Sequence, residues 1–144
     1  MFFVDLRVLR GKNVVVKVKI PPPVVAEMLA HAREEAPNEC CGLLVGRRGV
    51  VDRAARARNL EAGPTRYLID PHDHLEAMKG ARAEGRHVIG AYHSHPSGPA
   101  VPSPSDIAEA SGGLDFLYVI VAPASESVEA YYFKNGEVIV ADVV

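Results

Sequence analysis

The sequence predicts a mixed α/β fold, a single curved β-sheet flanked by helices, and three observations carry that prediction. Short apolar runs bounded by Gly, Pro or Asn recur along the chain and read as buried strands. Between them lie segments with apolar residues at helical spacing, opened by proline-containing starts. The last two strand-like runs flank Asn135-Gly136, the dipeptide favoured in two-residue hairpin turns. At 144 residues the chain can bury about two-thirds of its unfolded surface, enough for one core. No repeat or low-complexity tract divides it, so residues 1–144 are read as one domain, with an N-terminal hairpin over 1–20 ahead of a core over 22–143.

Taken in order, residues 2–10 and 14–20 read as a hairpin around Gly11-Lys12-Asn13, broken by Pro21-Pro22-Pro23. Val25, Met28, Leu29 and Ala32 then follow helical spacing until Pro37. Strands near 40–47 and 50–58 meet at Arg48-Gly49. A short strand over 67–69 precedes Asp70-Pro71, a suitable cap and first position for a helix to about Gly85. Residues 87–92 form an almost continuously apolar run, the mark of a strand buried on both faces. Ser103 then reads as an N-cap and Pro104 as the first helical residue. A buried strand over 116–121 and a hairpin over 128–133 and 138–143 complete the chain.

The chemistry is concentrated in fourteen residues, HSHPSGPAVPSPSD, from His93 to Asp106. Side chains at i and i+2 of a strand point to one face, so His93 and His95 can share one ion. Pro96 cannot continue the ladder and stops the strand at those residues. The stiff loop Ser97-Gly98-Pro99-Ala100-Val101 leads to the helix start, where Asp106 follows the Ser103 cap by three positions. Two imidazoles and a carboxylate suit a catalytic zinc, which takes three protein ligands and leaves a fourth position to water. Upstream, Glu39 opens the apolar run ECCGLLVG and offers a carboxylate that could act on that water. Structural alternatives exist for each part. A His-x-His pair alone is weak, and Ser103 with Asp106 is close to a capping box. Capping does not explain two histidines closing a buried strand just before the loop.

Glu39, then His93-x-His95-Pro96, then Pro102-Ser103-x-x-Asp106 resemble the JAMM motif of the MPN-domain zinc metalloproteases, with no motif position departing from the pattern. The tract RYLIDPHDHLEA, residues 66–77, is similar to archaeal and bacterial deubiquitinase-like members, and the resemblance spans roughly residues 22–143. It implies a cytidine-deaminase-like α/β fold and one zinc ion held by His93, His95 and Asp106. It implies that Glu39 is the general base and then acid, and that Ser103 donates to the oxyanion. The implied activity is hydrolysis of the peptide or isopeptide bond after the C-terminal glycine of a ubiquitin-like protein, small sulfur-carrier relatives included. The implied partners are that protein, its conjugates, and a second MPN domain in a homo- or hetero-dimer; the N-terminal hairpin reads equally as a contact for that dimer or as an extra strand. The insertions that read chain linkage in some members look minimal around 60–76 and 122–128. Residues 66–74 are the candidate lip for an extended tail, the alternative being that they only cap a helix.

Two other function classes were weighed. A non-catalytic MPN scaffold in a multi-subunit assembly usually lacks the ligands, and all are present here. A zinc deaminase wants H-x-E and P-C-x-x-C, and the chain has neither.

Composition excludes further classes. A net charge of −2 and a pI near 6.3 argue against a dedicated nucleic-acid binder. Arg47, Arg48, Arg53, Arg56 and Arg58 cluster, and read either as a solvated hairpin edge protected by charge or as a partner patch. No apolar run approaches the length of a membrane span, about 20 residues. MFFVDLRVLR lacks the basic start and long apolar core of a signal peptide, which makes the cytoplasm the expected location. Cys40 and Cys41 are adjacent and cannot staple distant segments; they read as small buried hydrophobes, with a nucleophilic thiol as the alternative. The absence of glutamine, with eleven prolines, is a composition of the thermophilic kind. His31 is expected on an exposed helix face, and His72, His74 and His87 are also expected in solvent. His72 and His74 copy the ligand spacing, but on a helix they point about 200° apart.

Overall fold

The computed structural model describes residues 16–144, so the strand expected over 2–10 lies outside the described residues. The elements in order are β1 (Val16–Val18), α1 (Pro22–Glu35), β2 (Cys41–Arg47), β3 (Val50–Ala57), α2 (Pro71–Ala83), β4 (His87–Ser94), α3 (Pro104–Glu109), a 3-10 turn at Gly113–Asp115, β5 (Leu117–Ala122), β6 (Ser127–Lys134) and β7 (Glu137–Val143). The described strands form one seven-stranded sheet in the order β1-β7-β6-β5-β4-β2-β3. The expected mixed, curved sheet flanked by helices is the fold observed. Of the expected N-terminal hairpin, β1 is described, and it pairs in parallel with β7 at Val16↔Ala141.

The sheet curls until its two edges touch. Lys19, just past β1, donates its N–H to the Gly49 carbonyl (2.9 Å) and accepts from the Val51 N–H (2.9 Å), at the start of the opposite edge strand β3. Inside the curl lies α1, which puts Val24, Met28 and Ala32 against Val18, Leu44, Tyr92, Val119 and Val121. Pro22 suits the first turn of α1 because no intrahelical partner exists there for an N–H. Met28 has no solvent exposure, a burial that contributes about 1.5–3 kcal/mol.

His31 corrects one expectation: it is buried, with its Nδ1 2.7 Å from the Tyr92 hydroxyl. It sits three residues after Met28, one turn along the buried face, and an apolar-only reading of the helix misses it. Burial is tolerable because the imidazole and the phenol satisfy each other. Tyr92 reaches α1 by crossing Gly42 of β2, its register partner. A Cβ on Gly42 would overlap the Tyr92 ring and the Ala55 carbonyl, so only glycine fits.

On the other face of the sheet, α2 packs Ala77 onto Leu43 and Ala91. Beside it Ala100, Ile107 and Ala110 cover Tyr118, Ile120 and Phe133. The arginine-rich hairpin is the sheet edge, as one sequence reading had it. Its guanidinium groups meet acids of the neighbouring helices: Arg53 pairs with Glu84 (2.9 Å), and Arg56 pairs with Glu27 (2.7 Å) and also with Glu34. Such exposed pairs add little stability, but they cover an edge that another strand could otherwise join.

The strand expected over 67–69 is not formed; Ile69 makes one isolated bridge to Asn59. Its ladder groups are taken by a side chain: the Asn59 carboxamide donates to the Arg66 carbonyl (3.0 Å) and accepts from the Leu68 N–H (2.9 Å). Elsewhere the expected elements are present, with ends displaced by up to about two residues, the usual uncertainty of helix termini.

Two outcomes follow from this packing. Gly42→Ala should lose about 1–3 kcal/mol of stability through overpacking at Tyr92, measured by chemical denaturation. Burial pushes the His31 imidazole below its ordinary value, so the unfolded chain binds the proton more readily. Stability should therefore fall as pH drops below about 6.5, and His31→Gln should flatten that slope in thermal melts from pH 7.5 to 5.5 relative to the parent.

Candidate metal centre

Strands β4 and β5 run in parallel, with His93 opposite Ile120, and α3 lies in the connection between them. Alternation along β4 sends Tyr92 to α1 and His93 to the opposite face. The parallel ladder continues one step past β4, because the His95 N–H donates to the Val121 carbonyl (2.9 Å). His95 is therefore held in extended register on the same face as His93. Ser103 caps α3: its Oγ accepts from the Asp106 N–H (3.1 Å), while Asp106 Oδ2 accepts from the Ser103 N–H (2.9 Å). This reciprocal capping box fixes the Asp106 rotamer and turns its carboxylate back toward the end of β4.

Three ligand-type atoms meet there. His93 Nε2 lies 3.2 Å from His95 Nε2 and 3.3 Å from Asp106 Oδ2, and His95 Nε2 lies 3.1 Å from that oxygen. Among the described residues this is the one group of its kind. A tetrahedral ion with bonds of about 2.0–2.1 Å requires ligand atoms about 3.3 Å apart, so the triangle matches one face of a zinc tetrahedron. The donor set of two imidazoles and one carboxylate also matches. His95 Nδ1 lies 2.9 Å from the Pro99 carbonyl, so the proton sits on Nδ1 and the Nε2 lone pair faces the centre. His93 Nδ1 is buried without a hydrogen-bond partner.

The electrostatics fit a cation site. Burial opposes the Asp106 charge, but contacts with His93, His95 and the Ser103 N–H prevail and hold the carboxyl well below the usual carboxylate range. Burial likewise opposes protonation of His95, yet Asp106 and the Pro99 carbonyl raise its pKa. Burial dominates at His93 and lowers its pKa.

Glu39 lies just before β2. Its carboxyl is 5 % exposed and its Oε1 has no hydrogen-bond partner. Burial pushes its pKa up to about 7; the nearby His95 pulls it down and Asp106 pushes it up. The backbone of Glu39 is held by the segment after β3: its N–H donates to the Gly63 carbonyl (2.8 Å) and its carbonyl accepts from Asn59 Nδ2 (3.1 Å). The five residues singled out in the sequence thus lie around one centre.

Two neighbours were not singled out individually in the sequence, although Tyr67 falls within the candidate lip over 66–74. The Tyr67 ring is stacked on His93, with centroids 4.3 Å apart and planes at 16°. Asn59 bonds to Glu39, Glu61, Arg66 and Leu68 at once. Asn59 follows a strand, where a turn residue is expected, and Tyr67 lies in a tract that reads as a strand; neither fact points to the centre. Of the candidate lip, Asp70 does cap α2 by accepting from the His72 N–H (2.9 Å), while the Tyr67 ring lies against His93. Both cysteines are buried and free, and burial pushes Cys40 up to about 11 and Cys41 up to about 12, which leaves their thiols unreactive. His72 and His87 are exposed and His74 half-buried, none within a metal-binding group.

Comparison with known proteins identifies the family. A family model described as prokaryotic homologs of the JAB domain matches residues 21–134. A probable TtuB-protein conjugate cleaving protease of Thermus thermophilus is 40 % identical over 119 residues, covering 82 % of this chain and 77 % of the relative. A CysO-cysteine peptidase of Mycobacterium bovis is 32 % identical over 133 residues, covering 88 % and 90 %. Among solved structures, a Desulfitobacterium hafniense protein superposes with a TM-score of 0.79 at 34 % identity, covering 88 % of this chain and 91 % of its own. A JAB1/MPN domain protein from Archaeoglobus fulgidus shares the fold, with a TM-score of 0.56 at 24 % identity, covering 92 % and 100 %. The family model spans well over half of the chain, and the Thermus and Mycobacterium relatives are each covered beyond two-thirds of their length, so the chain belongs to the prokaryotic JAB-domain family.

Proposed function

We propose that the protein is a zinc-dependent peptidase or isopeptidase that cleaves after the C-terminal glycine of a ubiquitin-like or sulfur-carrier-type protein. The observation that carries this reading is the triangle of His93 Nε2, His95 Nε2 and Asp106 Oδ2 beside the buried Glu39, whose Oε1 has no hydrogen-bond partner. A zinc ion bound there would supply a water of pKa about 7 and would polarise the scissile carbonyl.

The residues of the chain do the rest. His93, His95 and Asp106 hold the ion. Glu39 takes a proton at its carboxylate and returns it to the leaving amine, a task suited to a carboxyl whose pKa burial has brought close to neutrality. Ser103 uses an oxygen lone pair to cap α3 through the Asp106 N–H, and its hydroxyl, 3.2 Å from the Ser105 hydroxyl, donates its proton to the developing oxyanion with Ser105 as donor in that pair. The same side chain therefore serves both roles that the sequence left open. A scaffold would have no use for a buried, unpartnered carboxyl next to three convergent ligand atoms.

The names of the relatives, a protease that cleaves TtuB-protein conjugates and a CysO-cysteine peptidase, support a protein conjugate as substrate. Among the described residues no helix is long and apolar enough to cross a membrane. Two free, buried thiols suit a reducing compartment, and the cytoplasm is the location we assign.

His95→Ala and Asp106→Ala should each lose bound zinc, read by elemental analysis of purified protein. Glu39→Gln should keep the metal and lose turnover by about 10²–10⁴, read on a linear or isopeptide fusion of a ubiquitin-like protein; full activity in that variant would remove the mechanism. Ser103→Ala should cost about 10²–10³ in kcat. Chelation should abolish cleavage and stoichiometric zinc should restore it.

A further inference from the structure

The two histidines of the centre are oriented by different means. His95 has an ordinary outer partner, the Pro99 carbonyl at 2.9 Å, which fixes both tautomer and ring plane. Metal-binding histidines usually have such a partner on the second nitrogen. His93 has none: its Nδ1 is buried and unpartnered. Its Nε2 faces His95 and Asp106, but no hydrogen bond on the outer nitrogen fixes the ring about its last torsion, which for an imidazole is broad. The restraint present is the Tyr67 ring, lying nearly parallel to the imidazole at 4.3 Å.

Tyr67 belongs to no helix or strand and needs an anchor of its own. Asn59 provides it. The carboxamide donates to the Arg66 carbonyl (3.0 Å) and accepts from the Leu68 N–H (2.9 Å), gripping the backbone on both sides of Tyr67. Through the same Nδ2 it donates to the Glu39 carbonyl (3.1 Å), and through the same Oδ1 it accepts from the Glu61 N–H (3.0 Å). One side chain thus ties the residue that carries the buried acid to the residue stacked on a metal ligand.

We propose that Tyr67 and Asn59 are positioning residues of this centre: the Tyr67 ring orients His93 in place of an outer hydrogen bond, and Asn59 holds Tyr67 and Glu39 in fixed relation. The proposal rests on the metal-hydrolase reading above. It makes aromaticity the requirement at position 67, since a stacked face and not a hydroxyl restrains the imidazole. At position 59 it makes the two N–H donors the requirement, because only they reach Glu39 and Arg66.

The test uses the full chain loaded with cobalt(II), a visible reporter of metal geometry, and zinc affinity from competition with a chromophoric chelator. Tyr67→Leu should weaken zinc binding by about 10- to 100-fold and change the cobalt absorption bands, whereas Tyr67→Phe should match the parent in both. Asn59→Asp keeps an acceptor but loses both donors; it should shift the cobalt bands and lower kcat more than it raises KM. Thermal melts identify variants that are folded at the assay temperature. If Tyr67→Leu does not fold, Asn59→Asp decides, since it keeps the Tyr67 side chain and removes only the donors that hold its backbone. A folded Tyr67→Leu with parental affinity and spectrum overturns the proposal, as does a folded Asn59→Asp with parental bands and kcat. A parent protein that binds neither metal overturns the hydrolase reading and this proposal with it; a parent that binds beside an unaffected Tyr67→Leu overturns the proposal alone.

Discussion

Two imidazole nitrogens and a carboxylate oxygen held within 3.1–3.3 Å of one another form the contact on which the rest of the structure depends. Such an arrangement is unfavourable for neutral groups, because lone pairs converge, and buried charge is costly unless it is paired. The depressed Asp106 and the raised His95 are the response of the centre itself. The backbone enforces the convergence by two local devices. An extended ladder continued by the His95 N–H keeps two histidines on one face, and a reciprocal capping box aims one carboxylate at them. Neither device alone makes the centre. The parallel β4–β5 pairing joins them by returning the intervening segment to the end of the strand.

The two faces of β4 separate stability from chemistry. Tyr92 and His93 are adjacent and equally buried, yet one enters the core around α1 and the other enters the centre. The core face tolerates no looseness: Gly42 must lack a side chain for Tyr92 to cross it, and the Tyr92 hydroxyl must find His31. That rigidity is transmitted to His93 through a single peptide unit. Glu39 is held differently, its backbone bonded to Gly63 and Asn59 in the segment that follows β3. The next residue, Cys40, is also bonded to Ser94 between the two histidines, through the Ser94 N–H to the Cys40 carbonyl (3.0 Å) and the Cys40 N–H to Ser94 Oγ (2.8 Å), so the β2–β4 pairing sets the acid beside the histidines, and Tyr67 lies against His93.

How much of this was legible follows from the range of each interaction. His93, His95, Ser103 and Asp106 could be read because strand alternation and helix capping operate over two or three residues. The terminal hairpin could be read because Asn135-Gly136 suits its turn, and both residues have positive φ. His31 falls on the buried face one turn after Met28, but the partner that makes its burial tolerable, Tyr92, lies 61 residues away, so an apolar-only reading of α1 misplaces it. The strand expected over 67–69 was misread for a similar reason: a carboxamide seven to nine residues upstream occupies the groups that a ladder would use.

The chain by itself determined the class of fold, the order of the elements and the grouping of His93, His95 and Asp106, because each is written in local spacing and in chain order. Only the tertiary structure decided that the edges of the sheet meet at Lys19, that His31 is interior, and that Asn59 and Tyr67 border the centre. The physical reason is that hydrogen bonding, ring stacking and burial depend on distance in space. A residue whose partner is far along the chain carries no mark of it in its neighbours.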